Sequence, residues 1–407
     1  MLELLDLRDR RERLEPRRLE IDPDVSATVR DAIDRVRRER DAALLDLTLR
    51  FDGADLRDRG VVATPDEFAD AFDGVPPELR SAVDALVERL TDLHTRQLPL
   101  EWKDEREGVR FGERVTPLRA VGCYVPGGRA VYPSSVAMTV VPAFVAGVEL
   151  IVVCTPPRSD GSIHPLVLYA AKRAGATSVV KAGGAQAIAA LTFGTDSVPP
   201  VDKIVGPGNA FVTEAKRQLS GVVGIDGLAG ATELAIVAGP TADARWLAAD
   251  LVDAVERALQ AEVAKAARRD VVDEALAKAR AIVVKDLEQA VDAVNDLAPE
   301  HLQVAIDDAA TFVSAVRAAG AIFVGAFTPV PFGDYGVASN HVLPTSGTAR
   351  FANGLRASDF VRVTSIVEMT GEAAARLAPE VSALARSEGL VGHARAVEIR
   401  AEDRNTS

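Results

Sequence analysis

Along residues 25–50 apolar side chains recur at the spacing of a helix. Val29, Ile33, Val36, Ala43 and Leu44 fall on one stripe, and Arg and Asp fill the rest. The spacing predicts an amphipathic helix there, and a second over 77–97, where Pro76-Pro77 offers a start. From 118 the pattern changes. Short apolar runs at 118–125 (LRAVGCYV), 149–154 (ELIVVC), 177–182 (TSVVKA) and 202–206 (DKIVG) predict buried strands. Helical stretches near 134–147, 164–174, 185–193 and 208–219 separate them. This alternation predicts a parallel sheet with helices on its faces.

A second, less complete set follows. Strands are expected at 233–239, 279–285, 301–306 and 319–325, with helices over 242–278, 286–296 and 308–318. The stretch 242–278 reads as one long Ala-, Arg- and Glu-rich helix where an α/β domain would usually place a strand. The tail from 357 reads as helical and polar. No internal repeat is evident.

Composition narrows the class. The 407 residues suffice for two or three domains, and 48% hydrophobic with 26% charged content fits a soluble globular protein. No apolar run approaches the ~18 residues of a membrane-spanning helix. The N-terminus is charged throughout and lacks the apolar stretch of a secretory signal, so a cytoplasmic location is expected. Two cysteines, Cys123 and Cys154, exclude a disulfide framework and a Cys-rich zinc module. Both fall in or beside strands and read as packing groups. The net charge of −13 disfavours nucleic-acid binding. Only eight of the 47 basic residues are Lys, and the acid excess points to a high-salt habitat.

Glycines cluster where strands give way to helices: VPGG (125–128), GGAQ (183–186) and GPGN (206–209). Ligands of open α/β sheets bind at the carboxyl ends of the strands, and N–H groups at helix starts hold phosphates. GPGNAF is not the GxGxxG fingerprint, since Phe211 stands at its last glycine. Among the five histidines, His94 on a polar helix and His164 in a loop read as solvated. His301 follows Glu300, a pairing that can divide acid and base work. Asp334 shares a Gly-rich loop with His341, and His393 lies five residues after Glu388. Asp and His are competent zinc ligands.

VGCYVPGG, KAGGAQAIAAL, VDKIVGPGNAFVTEAKRQ, APEHLQV and GDYGVASNHVLPT, in that order and spacing, resemble the histidinol dehydrogenase family along essentially the whole chain. The resemblance implies an α/β protein with two incomplete Rossmann-like parallel-sheet domains and helical N- and C-terminal segments, in an intertwined homodimer. On that pattern 1–24 is an N-terminal segment. Residues 25–123 and 233–355 make a first α/β domain, shortened near 250–280. Residues 124–232 make the NAD-binding domain, and 356–407 a helical tail. The implied reaction is oxidation of L-histidinol through L-histidinal to L-histidine by two NAD, with one zinc ion per subunit. Tyr124, Gln186 and Asn209 match positions that contact NAD, and Glu300 and His301 match the catalytic pair. Thr232, His301, Asp334, Glu388 and His393 match substrate contacts. Asp334 and His393 also match zinc ligands. Glu388 and His393 would reach the site from the partner subunit.

The chain departs from the family in three places. Ala231 replaces the usual Pro beside Thr232. The Gln and His that supply the other two zinc ligands align with Ala254 and Arg257, and an Arg would repel a cation. A shifted register finds Gln260-Ala261-Glu262, but Val263 then replaces the His. The interval from Asp250 to Glu300 is shorter than the family's. Two alternatives stand beside the main reading: a metal-deficient, non-catalytic NAD-binding relative, or a dehydrogenase for another amino alcohol.

Overall fold

The computed structural model describes residues 3–10, 13–127, 130–230, 232–243, 245–246, 279–337 and 339–402. Nearly all of the helix expected over 242–278 lies outside them, as do Ala231, Ala254, Arg257 and residues 260–263. The chain divides into two units, Met1–Gln97 with Leu118–Phe360, and Leu98–Pro117 with Val361–Ser407.

In the first unit a short strand, β1 (Glu3–Asp6), precedes four helices. These are α1 (Pro23–Glu39), α2 (Asp41–Asp52), α3 (Pro65–Gly74) and α4 (Pro77–Thr95). α1 begins where Asp22 caps the Asp24 N–H and Pro23 fits the first turn. Thr64 and Glu67 close a capping box on α3. The single helix expected over 25–50 is broken at Arg40, whose φ is +53°. No Gly or Pro marks the break. The Arg40 guanidinium donates to the carbonyls of Phe193 (2.9 Å) and Gly194 (2.7 Å), capping a helix distant in sequence. A tertiary contact thus overrides the local pattern.

Five strands follow: β4 (Ala120–Tyr124), β5 (Leu150–Thr155), β6 (Ser178–Lys181), β7 (Lys203–Val205) and β8 (Gly224–Ile225). Helices α5 (Pro133–Val145), α6 (Pro165–Ala174), α7 (Gly184–Phe193) and α8 (Ala210–Leu219) alternate with them. All neighbours pair in parallel, in the order β6-β5-β4-β7-β8. The chain runs outward from β4 to β6, then crosses back to β7. The switch point therefore lies between β4 and β7, where such sheets open a crevice. Both faces are covered, which explains why these strands read as unbroken apolar runs. Val29 and Val36 of α1 and Leu44 and Leu47 of α2 share one core with Val152, Val180, Ile188 and Leu191. Full burial of such a side chain contributes about 1.5–3 kcal/mol. Residues 25–52, grouped from the sequence with 233–355, pack on this sheet.

A second parallel sheet has three strands in the order β12-β11-β9: β9 (Leu234–Ala238), β11 (His301–Ala305) and β12 (Ala321–Val324). Its core gathers Leu302, Val304 and Phe312 with Ala290 and Val294 of the helix Leu287–Leu297. The strand expected at 279–285 forms as β10 (Arg280–Val283), but among the described residues it joins neither sheet. It pairs in parallel with β1, Glu3 opposite Arg280, in a separate two-stranded sheet. β1 was not anticipated, because four residues give too little periodicity to read.

The second unit is an antiparallel sheet of β2 (Trp102–Arg106), β3 (Val109–Pro117) and β13 (Val361–Met369), followed by helices Gly371–Ser387 and Val391–Glu402. Glu107 (φ +49°) and Gly108 (φ +78°) form the two-residue turn between β2 and β3. Two left-handed residues match the twist of a tight hairpin. The expectation of a helical tail from 357 is corrected here. Val361, Val363, Thr364, Ile366 and Val367 are β-branched and suit a strand, which pairs along the whole of β3.

Candidate active site

Tyr124, Gln186 and Asn209 line one cleft of about 420 Å³ at the carboxyl edge of the five-stranded sheet. Tyr124 ends β4, Gln186 sits in the first turn of α7, and Asn209 caps α8. The Asn209 Oδ1 accepts from the N–H groups of Phe211 (3.0 Å) and Val212 (3.2 Å). The Tyr124 hydroxyl accepts from the Gly184 N–H at 3.2 Å. Burial pushes the Tyr124 phenol well above its ordinary range, so it stays neutral. The floor of the GPGN turn is pinned from below. Lys216 Nζ donates to Gly206 O (2.6 Å) and to Asp226 Oδ1 (2.7 Å), while the Gly206 N–H donates to Asp226 Oδ2 (2.6 Å). Asp52, at the end of α2, also lines the cleft. Its Oδ2 accepts from the Gly183 N–H (3.0 Å) and the Gln186 carboxamide (3.2 Å). Pro156, Pro157 and Phe211 supply apolar walls. Such a cleft, with N–H groups of helix starts at its rim, fits part of a dinucleotide. Asn209→Ala is expected to weaken NAD binding and to cost the α8 cap about 1 kcal/mol. Titration calorimetry with NAD checks it, and an unaltered affinity would remove Asn209 from the site.

The second group of residues gathers where β11 begins. Glu300 and His301 are both buried. Ala298, at φ +48°, ends the preceding helix and turns the chain so that Glu300 and His301 face β9. Glu300 Oε2 accepts from the Glu233 N–H at 2.8 Å, and the His301 ring Nδ1 lies 3.1 Å from Glu233 O. The carbonyl can only accept, so Nδ1 carries the proton and Nε2 is the open nitrogen. Nε2 is buried without a hydrogen-bond partner. Asp334 Oδ1 faces it at 3.7 Å, an ionic neighbour beyond hydrogen-bond length. Glu300 Oε2 lies 3.6 Å from Nδ1. Burial acts to lower the His301 pKa, but Asp334 and Glu300 together outweigh it and push it up to about 10.

Two groups here were given no role of their own by the sequence reading. Glu233 accepts from the Ser346 N–H at 3.1 Å, and burial, with the nearby Glu300 charge, raises its pKa. It directly follows Thr232, which is exposed at the start of β9. His341 lies with Nδ1 3.1 Å from Asp334 O and Nε2 3.1 Å from Ser135 Oγ. Burial lowers its pKa, so the neutral ring links the Asp334 loop to the start of α5.

The other histidines correct the solvated reading. His94 is fully buried, held between Gln97 Oε1 (2.8 Å) and Asn340 Nδ2 (3.2 Å), and burial lowers its pKa. His164 is half-buried, and its Nδ1 caps α6 by accepting from the Leu166 N–H. Burial pushes the Cys123 thiol to about 12 and the Cys154 thiol higher still, which leaves neither as a nucleophile near neutral pH.

Glu388 and His393 lie in the second unit, at the end of one helix and the start of the next, both exposed. Among the described residues no group of three or more His, Cys, Asp or Glu side chains could hold a metal ion. The first unit offers Asp334 alone of the expected zinc ligands, and positions 254 and 257 lie outside the described residues. These residues do not by themselves fit a zinc ion.

Comparison with known proteins gives a consistent result. A family model described as histidinol dehydrogenase matches residues 15–258 and 251–401, two stretches that overlap at 251–258. A histidinol dehydrogenase of Brucella melitensis is 44% identical, covering 94% of each chain. One of Rhizobium meliloti is 45% identical over 94% of this chain and 93% of its own. A crystal structure of histidinol dehydrogenase from Elizabethkingia anophelis superposes with a TM-score of 0.92 at 30% identity, covering 99% of both chains. With its motifs, its parallel sheets and the buried Glu300–His301 pair, the chain belongs to the histidinol dehydrogenase family.

Proposed function

We propose that the protein oxidises L-histidinol through L-histidinal to L-histidine, reducing two NAD, in the final oxidation of histidine biosynthesis. The observation that carries this reading is the juxtaposition of His301 Nε2 with Asp334 beside the Glu300 carboxylate, in a chain that also builds a nucleotide cleft. Bound NAD supplies the hydride acceptor for both oxidations. The rest is the work of this chain's side chains.

His301 takes the alcohol proton at Nε2 as the carbinol carbon loses hydride, giving the aldehyde. That requires a neutral ring. Asp334 Oδ1 faces Nε2 at 3.7 Å, beyond hydrogen-bond length, which leaves that nitrogen open to the alcohol. Glu300 then takes a proton from water as the oxygen adds to the aldehyde, and His301 returns its proton to the former carbonyl oxygen, giving the hydrate and restoring the neutral ring. His301 accepts the hydrate's hydroxyl proton as the second hydride leaves, giving the carboxylic acid. The Glu233 carbonyl keeps the Nδ1 proton in place and so fixes the working tautomer.

The family's zinc would orient the substrate's amine and imidazole. Asp334 and His393 are the residues of this chain that match its ligands, and no step is derived through it. We assign Thr232 and Glu388 to substrate contact. Glu388 and His393 would come from a second copy of the chain in a homodimer. Val363, Ile366, Val367 and Met369, exposed along β13 of the same unit, support such an interface. No helix of the described residues is long and apolar enough to cross a membrane, in keeping with a cytoplasmic enzyme. The comparisons support neither the non-catalytic relative nor an enzyme for another amino alcohol. Incubation of the purified protein with L-histidinol and NAD tests the reading. L-Histidine is the expected product, and accumulation of L-histidinal alone would overturn it.

A further inference from the structure

We propose that Asp52 is the positioning residue of the nucleotide cleft, its carboxylate holding the Gly183 N–H and the Gln186 carboxamide in the arrangement that receives NAD. The inference rests on the reading of this cleft as the NAD site.

Asp52 reaches the cleft from an unexpected direction. It is the last residue of α2, and Gly53 at φ +73° ends the helix behind it. α2 packs through Leu44 and Leu47 into the core under the sheet, so the carboxylate is carried by a rigid element. It sits between β4 and the first turn of α7. There Oδ2 accepts two hydrogen bonds, from Gly183 N at 3.0 Å and from Gln186 Nε2 at 3.2 Å. These two bonds tie together the glycine turn after β6 and one of the three matched NAD residues. The Tyr124 hydroxyl takes the adjacent N–H, that of Gly184, at 3.2 Å. Asp52 and Tyr124 thus divide the two N–H groups of the Gly183-Gly184 turn between them. Among the described residues that line the cleft, Asp52 is the only charged side chain.

A buried acceptor of this kind holds its two donors most strongly when it is ionised, because protonation removes the charge and turns one oxygen into a donor. Burial raises the Asp52 pKa from 3.8 to about 6, against the opposing hydrogen bonds from Gly183 and Gln186. The other titratable groups that feel its charge are the Tyr124 phenol on β4 and the Cys154 thiol on β5. Burial pushes both far above neutral, and neither titrates with it. Gln186 of α7 is uncharged. Nucleotide affinity that depends on this carboxylate therefore falls as pH drops through about 6. Fold stability runs the other way. A carboxyl whose folded pKa is raised binds its proton more tightly in the folded chain, so its contribution declines as pH rises from about 4 to 6. Above pH 6 the ionised group is a cost to the fold, kept for the turn it organises.

Titration calorimetry of the full chain with NAD, from pH 5 to pH 8, tests this together with the Tm at pH 8. For the unaltered protein, affinity is expected to drop about tenfold between pH 7.5 and pH 5. Asp52→Asn is expected to bind NAD about tenfold more weakly at pH 7.5, with no pH dependence across this range and a Tm no lower than that of the parent. Unaltered affinity with the parent's pH profile would overturn the proposal. Weaker binding joined to a lowered Tm would overturn it too, by making Asp52 a structural residue only. Absence of NAD binding by the unaltered protein would instead overturn the reading of the cleft itself.

Discussion

His301→Ala is expected to lower NADH formation from L-histidinol by about a hundred- to ten-thousand-fold, the range for loss of a general base. NAD binding should be unchanged, because the partners of His301, Glu233, Glu300, Asp334 and Phe323, are not among the residues that line the cleft. The size of the effect follows from the environment. Nε2 is the one open nitrogen of a ring whose other nitrogen is committed to the Glu233 carbonyl, and it is buried without a hydrogen-bond partner. Two other imidazoles are committed: His341 is engaged at both nitrogens and His94 at both. Both oxidations pass through the same base in this account. Single-turnover measurements should therefore show both hydride transfers slowed. Turnover within a few-fold of the parent would remove His301 from the chemistry.

Gly206→Ala is expected to destabilise the protein by about 3 kcal/mol or more, the range of severe backbone and packing conflicts. Gly206 has φ +107°, a conformation closed to a residue with a side chain. A Cβ there would lie 2.1 Å from the Tyr124 carbonyl oxygen, a backbone atom that cannot move without disturbing β4. The same shift would break the clamp that Lys216 and Asp226 place on the turn. Urea unfolding checks the stability. The midpoint should fall, and NAD binding should fall with it because Tyr124 and Asn209 flank this turn. An unchanged midpoint would contradict the close approach that the fold requires at this position.

Four strands of the five-stranded sheet were legible in the sequence because burial on both faces leaves apolar runs and glycine turns mark the ends of the strands; β8, two residues long, gave no pattern to read. The helices over 133–219 were legible for the same reason, each lying between two such runs. What escaped depends on partners far along the chain. Arg40 interrupts a good helical pattern to reach carbonyls at 193 and 194. β1 and β10 find each other across most of the sequence. β13 lies within the tail read as helical and polar, and its β-branched residues have meaning only beside β3.

The candidate site divides in the same way. Glu300 and His301 are adjacent, so a local reading could single them out. Tyr124, Gln186 and Asn209 came from motifs at three strand ends, and the fold brings them to one cleft. Glu233 follows Thr232 directly, and the carboxylate in AGATE was the signal available for it. Asp52 had none. It sits on a helix more than a hundred residues before Gly183, in a segment that reads only as amphipathic. His94 was misread because its helix is polar on average, while its own face packs against Asn340.

The measurement that bears most directly on the whole account is the yield of NADH per L-histidinol from the purified protein, with NAD in excess and zinc added. Two NADH per substrate, with L-histidine as the product, is the result this account predicts. One NADH per substrate would contradict it, since the hydration step assigned to Glu300 and the second proton transfer assigned to His301 would then not take place.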